Sequence, residues 1–146
     1  MKGAPHVIRH ARRHPARRRH LTLNGDADGL ADLFAPDAVI EFSFHGPPGM
    51  PVRLEGREAI REYSRRAVES PLRLEEYDVT QLYQSQDPEV VIAEIRATAT
   101  MPTTGRSLTV TSIQILRIRE GHIALWRDFA DPRVFEELIG EPRPES

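Results

Sequence analysis

Between residues 73 and 129 the chain alternates apolar and polar side chains with the two-residue period of β-strands, over four long segments. Short turn sequences separate these segments at residues 86–88, 102–105 and 120–121. Strands joined by such short turns pair as antiparallel neighbours. The sequence therefore predicts one sheet of sequentially paired antiparallel strands, over 73–84, 89–101, 107–119 and 122–129.

The residues before this region carry the signals of helices. A short helix is predicted to start at Asp26 and to stop before Pro36, and a second one follows Gly56, with arginines at 57, 61 and 65 on its solvated face. The other predicted elements are a strand over 38–44, an irregular loop over 45–51 and a last helix over 131–140. Helices that precede a run of long antiparallel strands indicate an α+β fold, with the helices on one face of a curved sheet and a ligand pocket at its concave end.

The composition is that of a soluble protein of one domain. The chain has 146 residues, 39% apolar and 29% charged, and no run is long enough to span a membrane or to serve as a signal region. A cytoplasmic location is expected by default. The absence of cysteine excludes disulfides, thiolate nucleophiles and cysteine-based metal sites. The histidines of the first 20 residues have no acidic partner nearby, and no glycine-rich phosphate loop occurs, so neither a metal nor a cofactor is expected.

Positive charge is concentrated at the beginning of the chain. Residues 1–20 hold Lys2 and six arginines without any acid, which leaves 13 of the 20 basic residues and all 22 acidic residues in the remainder. Residues 1–19 are predicted to form a basic arm or the start of a first helix. The arm lacks aromatic side chains for stacking and any known reading motif, so a solvated helix face or a frayed terminus is expected instead of nucleic-acid binding. The tail 141–146 is predicted to be disordered.

Asp128 is the leading candidate for function. It lies in the predicted strand 122–129, where alternation places it on the same face as Trp126, the only tryptophan. A carboxylate held against an indole and away from water must find a partner, become protonated or serve chemistry. A structural aspartate bonded to a backbone amide or to an arginine is the alternative.

A polar face on the predicted strand 89–101 supplies candidate partners for Asp128. Alternation places Glu94, Arg96 and Thr98 together, and this face is predicted to line the pocket. If Arg96 lies beside Asp128, its charge favours the ionised carboxylate, whereas burial favours the protonated form. An ionised Asp128 acts as a general base on carbon next to a carbonyl, and a protonated one donates to a developing enolate or alkoxide. A salt bridge between Glu94 and Arg96 is the structural alternative.

Three aromatic residues and one histidine complete the candidate site. Trp126, Phe42 and Tyr63 suit the walls of a pocket for a flat or polycyclic ligand, or they are simply core. His45, in the loop rich in proline and glycine, is a candidate proton carrier near neutral pH or a solvated side chain.

Four segments follow one another in a specific order: NGDADGLADLFAPDAVIEF (24–42), RLEGREAIREY (53–63), TTGRSLTVTSIQILRIREGHIALWRDF (103–129), and the Asp-Pro pair with its helix. Over a domain at 20–140 they resemble the SnoaL-like branch of the nuclear transport factor 2-like superfamily, which includes polyketide cyclases, ketosteroid isomerases and limonene epoxide hydrolases. The resemblance implies a cone-shaped α+β fold, in which a mostly antiparallel sheet wraps around helices with a pocket between them. It also implies a homodimer through the outer face of the sheet.

At two positions this sequence lacks the catalytic residues of these relatives, which restricts the reactions it could catalyse by their mechanisms. Ketosteroid isomerases carry a general-base aspartate in the first strand, where this chain has Phe42, which cannot take a proton. Limonene epoxide hydrolases combine an Arg-x-Asp pair on a middle strand with a second aspartate in a W-R-D-Y-F-D segment. Here residues 96–98 read Arg-Ala-Thr, and only the second aspartate is present, as Asp128.

Two hypotheses from different classes follow. The first is a cofactor-independent enzyme of the cyclase or isomerase type, which acts on a hydrophobic polyketide- or terpenoid-like molecule by general acid–base catalysis. Its site would consist of Asp128, Arg96 and Glu94 as catalytic residues, with Trp126, Phe42, Tyr63, Thr98 and His45 around the substrate. The second is a non-catalytic ligand-binding or dimerisation module of the same fold. An epoxide hydrolase-like activity with incomplete machinery is a further alternative.

Overall fold

The computed structural model describes residues 21, 24–44, 51–131, 133, 134 and 137. Two helices and six strands are described over their full length. In chain order they are α1 (Ala27–Asp32), β1 (Phe34–Phe42), β2 (Arg53–Glu55), α2 (Arg57–Glu69), β3 (Arg73–Gln84), β4 (Val90–Met101), β5 (Arg106–Arg119) and β6 (His122–Phe129). No described helix has the length and apolarity required to cross a membrane.

The six strands form one curved sheet in the order β2-β1-β6-β5-β4-β3. Strands β3 to β6 pair as antiparallel neighbours in sequence order, which confirms the prediction from their turns. The sheet also contains a parallel pair, β1 with β6, which joins the first long strand to the last. This pairing was not predicted, because nothing local to either segment specifies a partner so distant in the chain. The α+β fold with a mostly antiparallel sheet is confirmed.

Strand β1 differs from its prediction at both ends. It begins at Phe34 and ends at Phe42, whereas the alternation predicted 38–44. Between two pairings with β6, β1 advances from Phe34 to Val39 while β6 advances only from Ile123 to Leu125. Pro36 lies inside this bulge, where its missing N–H interrupts no regular ladder.

The helices pack on one face of the sheet, which we call the inner face. The core on this face joins Ile60 of α2 to Ile95 of β4 and Trp126 of β6. Ile60 is the only buried residue of α2 and is 1% exposed. The opposite side, the outer face, carries the polar residues that alternate with this core along each strand.

The residue before each helix explains where that helix begins. The Asp26 side chain accepts a hydrogen bond from the Gly29 N–H at 2.8 Å and so caps α1, as predicted. Helix α2 begins after Gly56, whose φ of 91° lies in the left-handed region that glycine adopts without strain. The Gly56 N–H donates to the Ala38 carbonyl at 2.7 Å, so this turn is tied to β1.

The arginines of α2, predicted to be solvated, connect elements, and only Arg65 is exposed as predicted, whereas Arg57 and Arg61 are partly buried. Arg61 bonds Asp28 at 2.9 Å and Asp32 at 3.1 Å, and Arg65 bonds Asp28 at 3.1 Å, so α2 is clamped to α1. Arg57 donates from Nε and Nη2 to the Phe34 carbonyl at 2.9 and 2.7 Å, at the start of the β1 bulge. Their helical spacing was predicted correctly, but their partners lie 23 to 37 residues earlier in the chain.

This clamp should make stability depend on pH. Hydrogen bonds from Arg61 and Arg65 hold the pKa of Asp28 below its ordinary value of 3.8. A carboxyl with a lowered folded-state pKa stabilises the fold above its unfolded-state pKa, and this stabilisation is lost as the pH falls through the folded-state value. The difference in unfolding free energy between wild type and Arg61→Leu should therefore shrink between about pH 6 and about pH 3, as measured by urea denaturation.

Arg66→Leu is the control for that experiment. Arg66 makes an exposed ion pair with Glu62 within α2, at 3.3 Å, and does not reach α1. Pairs of this kind contribute little, so this variant should track the wild type at both pH values. A gap between wild type and Arg61→Leu that is equally wide at both pH values would contradict the clamp.

Candidate functional site

Asp128 lies on the inner face of the sheet. On one side its strand pairs with β5, where Gln114 is directly opposite, and on the other with β1, where Phe42 is opposite. Residues directly opposite each other in a ladder project to the same face, so these three side chains lie together. The Oδ1 atom of Asp128 is shielded from solvent. A carboxyl group with one shielded oxygen is therefore placed on the helix-covered face of the sheet, while the residue as a whole is partly buried.

Two polar residues that the sequence analysis did not single out lie on this face. Gln114 is 4% exposed and Tyr77 is 6% exposed. The Tyr77 hydroxyl donates to Oε1 of Gln114 at 3.4 Å, across the intervening strand β4. The burial of Gln114 could have been predicted from the sequence, because alternation along the strand places it on the same face as the apolar Leu116 and Ile118. The sequence held no such pattern for Tyr77, because its role depends on contact with a residue 37 positions away.

The aromatic residues of the inner face form two pairs. Trp126 stacks on Phe34 with ring centroids 5.6 Å apart and planes 3° apart, and it is 5% exposed. Phe42 and Tyr63 pack at 5.6 Å in a tilted arrangement, and both are only partly buried. Trp126 is thus core, whereas Phe42 and Tyr63 offer accessible aromatic surface on the side of β1 that faces Asp128.

Arg96 and Asp128 lie on opposite faces of the sheet. On β4 the buried set is Val91, Ala93 and Ile95, so Arg96 projects from the outer face, with a side chain 58% exposed. The expectation that Arg96 sits beside Asp128 and sets its protonation is therefore wrong. Alternation showed which residues of β4 share a face, but packing against the helices selected the apolar set for the interior.

Glu94 and Thr98 also project from the outer face. Glu94 accepts a hydrogen bond from the Tyr83 hydroxyl at 3.1 Å, and this bond raises the pKa of Tyr83. Thr98 bonds Glu76 at 3.3 Å and Thr109 at 2.8 Å. Within the part of the chain that the structure describes, Arg96 is paired with Glu76 at 3.9 Å, so the alternative salt bridge between Glu94 and Arg96 is not the contact observed.

The sequence profile of the SnoaL-like domain matches residues 17–126. This chain belongs to the SnoaL-like family. The match spans most of the chain and confirms the resemblance seen in the sequence, within the nuclear transport factor 2-like superfamily.

Known proteins similar to this SnoaL-like domain include one curated relative and two solved structures. A PhzA/B-like protein of Pseudomonas aeruginosa is 40% identical over 120 residues, which cover 82% of this chain and 83% of that protein. The structure of an isomerase candidate from Bacillus subtilis is 28% identical, with 96% of each chain covered and a TM-score of 0.80. An LEH-like epoxide hydrolase of M. tuberculosis is 19% identical, covers 89% of this chain and 90% of its own, and has a TM-score of 0.65. At that identity the likeness shows the fold alone.

Arginines of the SnoaL-like sheet concentrate on its outer face. Arg127, next to Asp128 in sequence, points away from it and lies 3.2 Å from Glu41, which also bonds Arg53 at 2.9 Å. A cavity of about 630 Å³ opens on this side, between β1, β5 and β6. Its arginines are engaged by carboxylates, as in the pair between Arg119 and Glu89 at 3.2 Å. This outer cavity does not include Asp128.

Several predictions of the sequence analysis fall outside the described residues. They concern His45, the basic arm 1–19, the tail 141–146 and most of the last helix. Within that helix Arg133, Val134 and Glu137 are helical, and the Arg133 N–H donates to Asp131 at 3.0 Å, as expected of a cap. A pocket between the sheet and the helices, and association of two chains through the outer face, stay predictions.

Proposed function

We propose that this SnoaL-like protein is a cofactor-independent acid–base enzyme of the cyclase or isomerase type, which acts on a small hydrophobic molecule with Asp128 as the proton carrier. The observation that carries the proposal is the Asp128 carboxyl on the inner face, shielded at Oδ1 and opposite Phe42 in the sheet. Ionisable groups placed in apolar surroundings are characteristic of sites that move protons.

The groups on the inner face are suited to acid–base catalysis at carbon next to a carbonyl. The Asp128 carboxylate takes a proton from carbon next to a carbonyl, and the electrons of the broken C–H bond move to the carbonyl oxygen to form an enolate. The enolate is stabilised by hydrogen-bond donors, and Tyr63 offers a hydroxyl on this face. Return of the proton from Asp128 to a different carbon completes an isomerisation. Alternatively, the enolate carbon attacks a second carbonyl, and Asp128 gives its proton to the alkoxide that forms, which completes ring closure.

The aromatic surface supports a flat, apolar substrate. Phe42 and Tyr63 expose part of their rings and lie on the Asp128 side of the sheet. Rings of this kind stack on planar molecules and exclude water from them. Polyketide- or terpenoid-like molecules fit this description. We do not propose epoxide hydrolysis by a carboxylate pair, since Thr98 replaces the acid of the Arg-x-Asp pair and projects from the outer face.

A non-catalytic ligand-binding module is the second candidate. The observation that favours it is the hydrogen bond between Tyr77 and Gln114, because buried polar groups that satisfy each other need no reacting ligand. In this case Asp128 would contribute only to the shape and polarity of the binding surface.

A substrate-independent probe tests the proposal. The ring of 5-nitrobenzisoxazole opens when a base removes the proton on its C3 carbon, which forms a nitrile as the N–O bond breaks to a phenolate. The wild-type protein should show saturable turnover, faster than free acetate at equal concentration by about 100-fold. Binding is followed in parallel through the fluorescence of Trp126, the only tryptophan.

The two measurements separate the candidates. Turnover together with saturable quenching of Trp126 supports the enzyme. Saturable quenching without turnover supports the binding module and contradicts the enzyme, while the absence of both overturns the two candidates together.

A further inference from the structure

Gln114 is a buried amide on the inner face of the sheet. Its neighbours on the inner face of β5 are Ser112 and Leu116, and directly opposite it are Ala93 on β4 and Asp128 on β6. Burial of an amide costs free energy unless its donors and acceptor are engaged. Gln114 therefore occupies this position at a cost, and its partners indicate what it does.

Tyr77 determines which way the Gln114 amide faces. Tyr77 approaches from β3 across β4, where Ala93 and Ala97 leave room on the inner face, and donates to Oε1 of Gln114 at 3.4 Å. The oxygen and nitrogen of an amide lie on different sides of its carbon. An amide whose oxygen accepts a hydrogen bond from the β3 side can direct its Nε2 donor to the β6 side.

Asp128 lies on that β6 side. Residues directly opposite in an antiparallel ladder have Cβ atoms about 4.5–5.5 Å apart, which is within reach of a glutamine amide and an aspartate carboxyl. A hydrogen bond donated to a carboxylate favours its charged form.

We infer that Gln114 is a positioning residue, whose amide, held by Tyr77, is directed at the Asp128 carboxyl and favours its ionised form. The inference rests on the proposed function, since it assigns a role at the proton carrier named there. Among the described residues, the titratable groups placed near Asp128 on the inner face are Tyr77 on β3, which bonds Gln114, and Tyr63 on α2, which packs on Phe42. Strands β1 and β4 contribute Phe42, Ala93 and Ala97, which do not titrate.

Carboxyl titration by NMR tests the inference without any substrate. Protein labelled with ¹³C at aspartate carboxyls is titrated with acid, and the Asp128 signal is identified as the one absent from Asp128→Asn. Gln114→Leu, of similar size, should raise the titration midpoint of Asp128 by about 1 pH unit. Tyr77→Phe should move it in the same direction by less. A midpoint in Gln114→Leu equal to the wild-type midpoint would overturn the inference.

Two further variants keep the test decisive. Ser112→Ala alters a buried polar residue on the same strand and face, two positions away, and should leave the Asp128 midpoint unchanged. If Gln114→Leu does not fold, Gln114→Glu replaces the amide by an isosteric carboxyl. This second negative charge should raise the midpoint by about 1 pH unit or more, and an unchanged midpoint would again overturn the inference.

The outcomes distinguish this inference from the proposed function. If the probe is not turned over, the proposal that the protein is an enzyme fails. The NMR titration midpoints of Asp128 still test whether Gln114 is a positioning residue. When turnover is present, its pH–rate profile should shift in Gln114→Leu by the same amount as the midpoint. A purely structural Gln114 would lower thermal stability without moving either quantity.

Discussion

Replacement of Asp128 by asparagine should reduce turnover of the 5-nitrobenzisoxazole probe by about 100-fold or more. The amide that replaces the carboxylate has nearly the same shape but cannot accept the proton from carbon. The carboxyl lies on the inner face, shielded at Oδ1, so bulk buffer is a poor substitute for it. Initial rates measured over a range of probe concentrations and pH values provide the comparison.

Glu94→Gln is the matched control for Asp128→Asn. It makes the same change from carboxylate to amide, but on the outer face of β4, where Glu94 bonds Tyr83 at 3.1 Å. Turnover in this variant should equal that of the wild type. If Glu94→Gln lost activity while Asp128→Asn kept it, the proton transfer would belong to the outer face, and the proposal for Asp128 would fail.

Asp128→Asn should still bind the probe although it no longer transfers the proton. Trp126 packs on Phe34 rather than on the probe-facing aromatic pair, so its environment should be intact in Asp128→Asn. Titration of this variant with the probe should still quench Trp126. If Asp128→Asn lost both the quenching of Trp126 and the turnover of the probe, the substitution would have disrupted the site itself.

Replacement of Ile60 by alanine should lower the free energy of unfolding by about 2–5 kcal/mol. Ile60 is 1% exposed and is the only side chain of α2 buried in the core cluster. Its truncation removes apolar contacts and leaves a cavity between helix and sheet, which the surrounding core can fill only in part. Chemical denaturation monitored by Trp126 fluorescence measures the change.

Val68→Ala on the same helix is its control. Val68 is 45% exposed, so its truncation should change the unfolding free energy by less than about 0.5 kcal/mol. Should Ile60→Ala prove as stable as the wild type, α2 would be held by Arg57 and Arg61 rather than by its buried side chain. A loosened α2 should also weaken probe binding, because this helix holds Tyr63 against Phe42.

Part of the candidate site could be predicted from the sequence, but the residues that surround Asp128 could not. Asp128 was found because an acidic residue interrupts an apolar strand beside the only tryptophan, and this is a local pattern. Arg96 was assigned to it because both were expected to face the pocket. The structure places them on opposite faces, and Gln114 takes the position across from Asp128.

Local sequence patterns were sufficient to predict the number and approximate bounds of the long strands and the helix that follows Gly56. These properties depend on alternation, turn residues and caps, which act between residues close together in the chain. The tertiary structure alone decided that β1 pairs with β6, which face of β4 is buried, and that Tyr77 contacts Gln114. Each of these depends on how side chains from distant segments fill the same space, and a period of two residues specifies that a strand has two faces without specifying which one meets the core.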